Sequence, residues 1–518
     1  MINLIISGLL IWRSHMRKSL ISIMTTAAVA VSSLWIGGPA LAVGPTGNYT
    51  STLACSNLSS TTASISIGFF SQGNPTAVLD YPDTIGANTS KVYYLSSGTP
   101  SVPSGFQGSA VVSSDQQVAC SAQLDNVASG AGTSGNPARV AIGQSFDINQ
   151  VSTKLYGAQI ANALGNSTVG FFYSYVAIQN IEQTPVNVTY GWVDRSGASG
   201  TWGPVTIPPQ TNYITYTRSI AGLPAQMSAI LTVSATGRVA GAVVSYNDGP
   251  ANNGVVTPAT SQLQQYNMVS AGGSKLFAPQ YVRNYYGFQS GINIANIGTT
   301  TSTITTTYFI NGSTFTSVSQ LGANKVLGLF SANTPQLAPV DAFLESRRTG
   351  SVMVQGDPGS VLVGTVNQRN SGGSDCTVTC SSIGPQAAGG GSTIDAFVDG
   401  QQTNRLVMPR FVKNLGASST FNAGLAIVNP GAADGTCDIT YSGSAVVETA
   451  VPITRNGGTI GRYAGATTGL ISGLPSGFEN AVFINCTVPV FASGNLRGDN
   501  TSYLGDSQDS TNVYNYVP

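Results

Sequence analysis

Charge is the scarcest resource in this chain. Lys, Arg, Asp and Glu together make up 8% of its 518 residues, with 21 basic side chains balancing 21 acidic ones. Ordinary globular proteins carry roughly 25%. A surface this neutral offers no basic footprint for nucleic acid and no polybasic segment for anionic lipid. Histidine is nearly missing as well: the single copy, His15, sits near the N-terminus. Ser–His and Cys–His nucleophilic pairs therefore have no base to draw on. Neither a G-x-S-x-G elbow nor a phosphate-cradling G-x-x-x-x-G-K-[ST] loop occurs. The acidic residues are scattered and form no pair at a defensible spacing for general acid–base work. These absences predict a protein that is not an enzyme and takes no cofactor.

Helical periodicity is also lacking, and after residue 42 no stretch approaches the ~18 apolar residues of a spanning helix. The N-terminus itself reads as a secretory leader. Arg17 and Lys18 precede an apolar run from Leu20 to Ile36, and Ala40-Leu41-Ala42 forms an A-x-A cleavage site. Residues 1–42 are thus expected to be removed, whether translation begins at Met1 or Met16. Cleavage would take away His15, Arg13, Arg17 and Lys18 and leave an exported chain with no membrane span. Its expected location is extracellular or on the cell surface.

What the chain has in abundance is repetition. Leu276, Pro279, Val282 and Asn284 stand at the same offsets as Leu406, Pro409, Val412 and Asn414. Each copy then runs into an alternating apolar stretch ending in asparagine: Ile292, Ile294 and Asn296, then Leu425, Ile427 and Asn429. Looser copies end at Asn180 and at Asn57. Four such units at near-even spacing make a tandem array. Within them, short segments rich in β-branched and aromatic residues alternate between turn clusters, as in SISIGFF (64–70) and KVYYL (91–95). That pattern indicates antiparallel sandwiches.

The expected organisation is a signal peptide (1–42), sandwiches at 43–127, 153–247, 275–369 and 405–497, and a tail at 498–518. Gly/Ser/Asn-rich stretches at 128–152, 248–274 and 370–404 read as flexible connectors, with Ile394–Val398 as a candidate edge strand. Near the end of each unit come two alternating runs around a polar tip, such as Asp115, Thr236-Gly237 or Asp357-Pro358-Gly359. These are expected to be β-hairpins.

Six cysteines in an exported chain suggest disulfides. Proximity in the array pairs Cys55 with Cys120, Cys376 with Cys380 and Cys437 with Cys486. A metal site at Cys376 and Cys380 would need further thiolate or imidazole ligands, so no metal is expected. Trp192 and Trp202 are candidates for a sugar-stacking platform, against the plainer expectation that aromatic residues on strands cover a core.

The pattern Leu-x-x-Pro-x-x-Val-x-Asn, then Gly-Ile-x-Ile-x-Asn-x-Gly, then Leu-Pro-x-Gly-Phe before a strand pair resembles tandem Ig-like β-sandwich repeats of secreted surface proteins from filamentous bacteria, notably the Chloroflexota. Unit two departs from it, with Ala158 in place of the proline. The resemblance implies an extracellular location and no catalytic residues.

One asymmetry carries a functional expectation. Counting back from Asn57 to where a leading strand should begin lands inside the leader, so unit one lacks its own. The tail, Val513, Tyr514, Asn515, Tyr516, Val517 and Pro518, resembles the approach to a leading strand. Together these suggest head-to-tail self-association into a homopolymer by β-strand addition. The overall expectation is an all-β, four-sandwich structural protein of the cell surface or matrix, a filament subunit, with an adhesin or binder of extracellular polysaccharide as the alternative.

Overall fold

The computed structural model describes residues 28–29, 33–35, 45, 49–126, 139–147, 150–166, 170–247, 262–283, 288–310, 312–342, 349–370, 391–416, 421–466, 468–498, 508–512 and 514–515. The protein is all-β, and unit three shows the plan most plainly. One sheet carries, in spatial order, Ser313–Leu321, Ser302–Ile310, Thr349–Gln355, the leading strand Lys275–Val282, and Phe397–Val398. The facing sheet carries Lys325–Phe330, Phe288–Asn296, Leu362–Asn370 and Gly391–Asp395. The pairings within both sheets are antiparallel. The strands form because alternate residues face inward: along Ser302–Ile310, Ile304, Thr306, Tyr308 and Ile310 are buried while Thr303, Thr305, Thr307 and Phe309 are half-exposed. Unit one repeats the plan with two four-stranded sheets. Each unit has its own apolar core.

The asparagines that mark the repeat are structural staples. Asn57, Asn180, Asn296 and Asn429 are all buried. In each, the side-chain amide donates to the carbonyl four residues on, at Thr61, Thr184, Thr300 and Ala433 (2.6–2.8 Å). The side-chain oxygen accepts the backbone N–H two residues on, at 2.8–3.0 Å. One residue thus closes the bend that carries the chain from one sheet to the other, because its amide supplies N–H donors and a carbonyl acceptor at once, which a carboxylate does not.

The expected hairpins are not hairpins. Gln107–Ser114 pairs with Ala63–Ser71 in one sheet, while Val118–Asn126 pairs with Thr50–Asn57 in the other. In units two and four the equivalent runs are single strands, Met227–Asn247 and Phe478–Gly498, whose halves belong to opposite sheets. The polar tip is therefore a crossover between sheets. Its side chain has a job in all four units: it accepts the backbone N–H of the second residue of the third strand, as Asp115 does from Ser64 (2.7 Å), Thr236 from Asn187 (2.9 Å), Asp357 from Thr303 (2.6 Å) and Thr487 from Thr436 (2.9 Å). The sandwiches are Ig-like in their two packed sheets, with the leading strand beside the sixth strand and the seventh beside the second.

The stretches read as connectors each hold a strand. Arg139–Gln144, Gln262–Asn267 and Gly391–Asp395 add to the second sheet of units one, two and three, and Gln508–Asn512 does the same for unit four. These four strands pack against one another in succession, and the fourth returns to the first. The units therefore close into a ring instead of trailing as beads. Four apolar clusters join neighbours around it. Tyr49 and Leu124 meet Tyr175, Ile214 and Tyr216 between units one and two, and Ala158 and Ile230 meet Ala295 and Val363 between two and three. Phe277 meets Val428 and Phe491 between three and four, and Val407 and Ala481 meet Leu58 and Ala119 between four and one.

Candidate functional site

The seams between units repeat one device. In the leading strands of units two, three and four the register slips after Gly157, Ala278 and Met408, so that two residues oppose one on the partner strand. These are β-bulges, which re-aim side chains. The bulged pairs are Ala158-Gln159, Pro279-Gln280 and Pro409-Arg410. A proline sits easily there because a bulge leaves a backbone N–H out of the ladder. The second residue of each pair reaches the seventh strand of the next unit. Gln159 Oε1 accepts from Asn367 (2.5 Å), Gln280 Oε1 accepts from Asn495 (3.3 Å), and Arg410 donates to Gln123 Oε1. Asn367, Asn495 and Gln123 occupy one register position, opposite Gly291, Gly424 and Thr52. Unit two has Val244 there, opposite Tyr175, and among the described residues no bulged pair from unit one reaches it.

The seam joining units four and one is the charged one. Arg410 pairs with Glu479 at 2.7 Å, and both side chains are largely buried. Tyr94 of unit one donates to the second Glu479 oxygen at 2.6 Å, and Ser90 binds Asn480 at 2.7 Å. Burial works against the charge on Arg410, but Glu479, Tyr94 and Asp125 outweigh it and hold the guanidinium above its ordinary value. Burial pushes the Asp125 carboxyl up, against the opposing effects of the Thr50 bond, the Arg410 charge and the Gln123 bond.

Between units two and three the seam widens into a cavity of about 350 Å³. Arg195 and Arg369 line it, with no Asp or Glu among the described lining residues. Gln159, Gln264, Asn293 and Asn367 supply an amide floor, and Phe172, Leu329 and Phe330 an apolar wall. Arg195 donates to Asn293 Oδ1 at 2.7 Å, and Asn293 donates in turn to Gln159 Oε1 at 2.7 Å. The Arg369 guanidinium lies 4.6 Å from the centre of the Phe330 ring. Sequence reading missed this site because its residues come from eight separated segments and match no motif.

Two expected disulfides are formed: Cys55–Cys120, and Cys437–Cys486, each joining residues directly opposite on neighbouring strands. They fit an oxidising, extracellular environment. Cys376 and Cys380 lie outside the described residues. Trp192 is buried in the core of unit two, and Trp202 stacks on Tyr190 with ring centres 4.9 Å apart. Neither forms the open platform expected of it, because the alternation of the strand turns both rings towards the sandwich. Tyr514 and Asn515 of the tail pair with Val407 and Leu406 of unit four itself, so this segment is not a spare strand; Val513 and Tyr516, Val517 and Pro518 lie outside the described residues. In unit one the place of the leading strand is taken by Ser33–Trp35, paired with Gln107–Ser109. Those residues belong to the stretch read as a leader. Among the described residues no helix is long and apolar enough to cross a membrane.

No family model and no curated protein matches the chain. Among solved structures, the chain is similar over 22% of its length to 90% of Thermotoga maritima 1070, at 11% identity and a TM-score of 0.18. It also aligns over 95% of its length with the whole of a tetra-tandem repeat from the extending region of a large adhesion protein, at 13% identity and a TM-score of 0.10.

Proposed function

We propose that this protein is a secreted, non-enzymatic structural component of the cell surface or extracellular matrix. The observation that carries the reading is the closed ring, in which four disulfide-supported or densely packed sandwiches are held by apolar and amide seams. Such a block suits a load-bearing or coating role, and its neutral exterior suits close lateral packing. Self-association by strand addition belongs to the same reading. Loss of the leader would remove Ser33–Trp35 and leave the Gln107–Ser114 edge of unit one open to a strand from a second copy. The test is electron microscopy and sedimentation of a chain beginning at Val43, beside the uncut chain. Extended assemblies of the shortened form are expected; discrete single rings from both would remove self-association from the reading.

A second reading, binding of extracellular polysaccharide, is favoured by the cavity between units two and three, whose size and mixed amide and aromatic lining suit a sugar.

A further inference from the structure

Arg195 and Arg369 line one cavity, with no carboxylate among its described lining residues, in a chain whose charged residues are only 8% of the total. Burying an arginine with no acid beside it is costly unless an anion joins it. Arg195 is the clearer case. Among the described residues its side chain donates to the neutral amide of Asn293, and burial pulls its guanidinium below the ordinary value with no acidic group to offset it. Its position is also built. A Cβ on Gly328 would stand 2.8 Å from the guanidinium carbon, so the arginine lies where only glycine leaves room. The seam bonds from Gln159 to Asn293 and Asn367 fix the floor beneath it.

We propose that this cavity binds a carboxylate-bearing sugar residue of an acidic polysaccharide. This deepens the polysaccharide-binding reading and rests on it. The planar guanidinium groups match a carboxylate, which accepts two parallel N–H bonds. The amides of Gln159, Gln264 and Asn367 are donors and acceptors suited to ring hydroxyls. Phe172 and Phe330 offer a flat apolar surface to the C–H face of a pyranose. A volume of about 350 Å³ accommodates one or two sugar units. Binding would also bridge units two and three, because Arg195 belongs to the former and Arg369 to the latter.

The test is calorimetric titration of the full chain with a trimer of galacturonic acid and with a neutral glucose trimer, at low ionic strength. The acidic trimer is expected to bind at least tenfold more tightly, and Arg195→Gln to weaken it by about tenfold to a hundredfold, as loss of a charge-assisted bond does. Gly328→Ala should push the Arg195 guanidinium aside and weaken binding without removing any charge, which guards against misfolding of the first variant. Equal binding of both trimers would overturn the carboxylate assignment while leaving a glycan site in place. Binding of neither would overturn the polysaccharide reading along with it. Acidic binding indifferent to both variants would place the site elsewhere and overturn the assignment to this cavity.

Discussion

Arg410 in unit four donates a hydrogen bond to Gln123 in unit one, so the two sandwiches furthest apart in the chain are joined through a buried side-chain contact. No peptide linker crosses that seam in the direction the other three are crossed. Its closure rests on non-covalent contacts alone.

Arg410→Ala should therefore open the ring. It leaves Glu479 and Asp125 buried without their cation, a loss of about 3 to 5 kcal/mol for a broken buried pair. The radius of gyration from small-angle scattering should rise as units one and four part. An unchanged radius and melting temperature would show that Val407, Ala481 and Leu58 hold the seam unaided.

Acid should first tighten that seam. The Asp125 carboxyl is held above its ordinary value in the fold by burial, so its charged form is disfavoured there. The folded chain takes up this proton before the unfolded chain does, and Asp125 adds stability as pH falls from neutral through its raised value towards about 4. Asp125→Asn should flatten the difference, read as melting temperature against pH for the two proteins. A steeper acid loss in the native protein than in the variant would reverse the sign and refute the account.

Asn296→Asp should damage unit three as badly as Asn296→Ala. The native amide donates to Thr300 and Leu321 at 2.8 and 3.1 Å, and a carboxylate cannot donate at all. Leaving buried carbonyls unmet costs about 1 to 3 kcal/mol each. Urea denaturation of the two variants should give similar midpoints, well below the native one.

Removing Cys437–Cys486 as a Ser–Ser pair should cost about 4 kcal/mol, from the chain entropy of a loop of 49 residues. Cys55–Cys120 closes 65 residues and should cost about the same. Thermal melts with and without reductant check both, and a reductant-insensitive melt would show that the bridges do not support the fold.

Much of this was legible in the sequence. The asparagine at the end of each alternating run marked the repeat because the bend needs its particular donor and acceptor set. Cys55 and Cys120, and Cys437 and Cys486, paired as expected because each two sit at matching register on adjacent strands. Alternation also announced the strands around Asp115 and Thr236, but it says only that a strand has two faces, not which sheet it joins. A polar tip looks the same as a turn or as a crossover. The strands inside the connectors were hidden for a different reason. Gln262–Asn267 buries glutamines against its neighbours, including Gln264 against Thr393, so the usual apolar signature of a buried strand is missing. Trp192 and Trp202 followed the plainer expectation, covering a core. The cavity of Arg195 and Arg369 could not be read at all, since it exists only once two units meet.

The closed seam has a consequence for how such a chain can change over generations. An open string of repeats tolerates gain or loss of a module, because each added copy meets only its neighbours. Here the fourth unit packs back against the first, and a heterologous contact that returns to its start fixes the number of members. A fifth sandwich would have no place between units four and one, and three could not reach around. Duplication, the usual route by which repeat proteins lengthen, is closed to this one, and variation is confined to what each unit shows on its outer face.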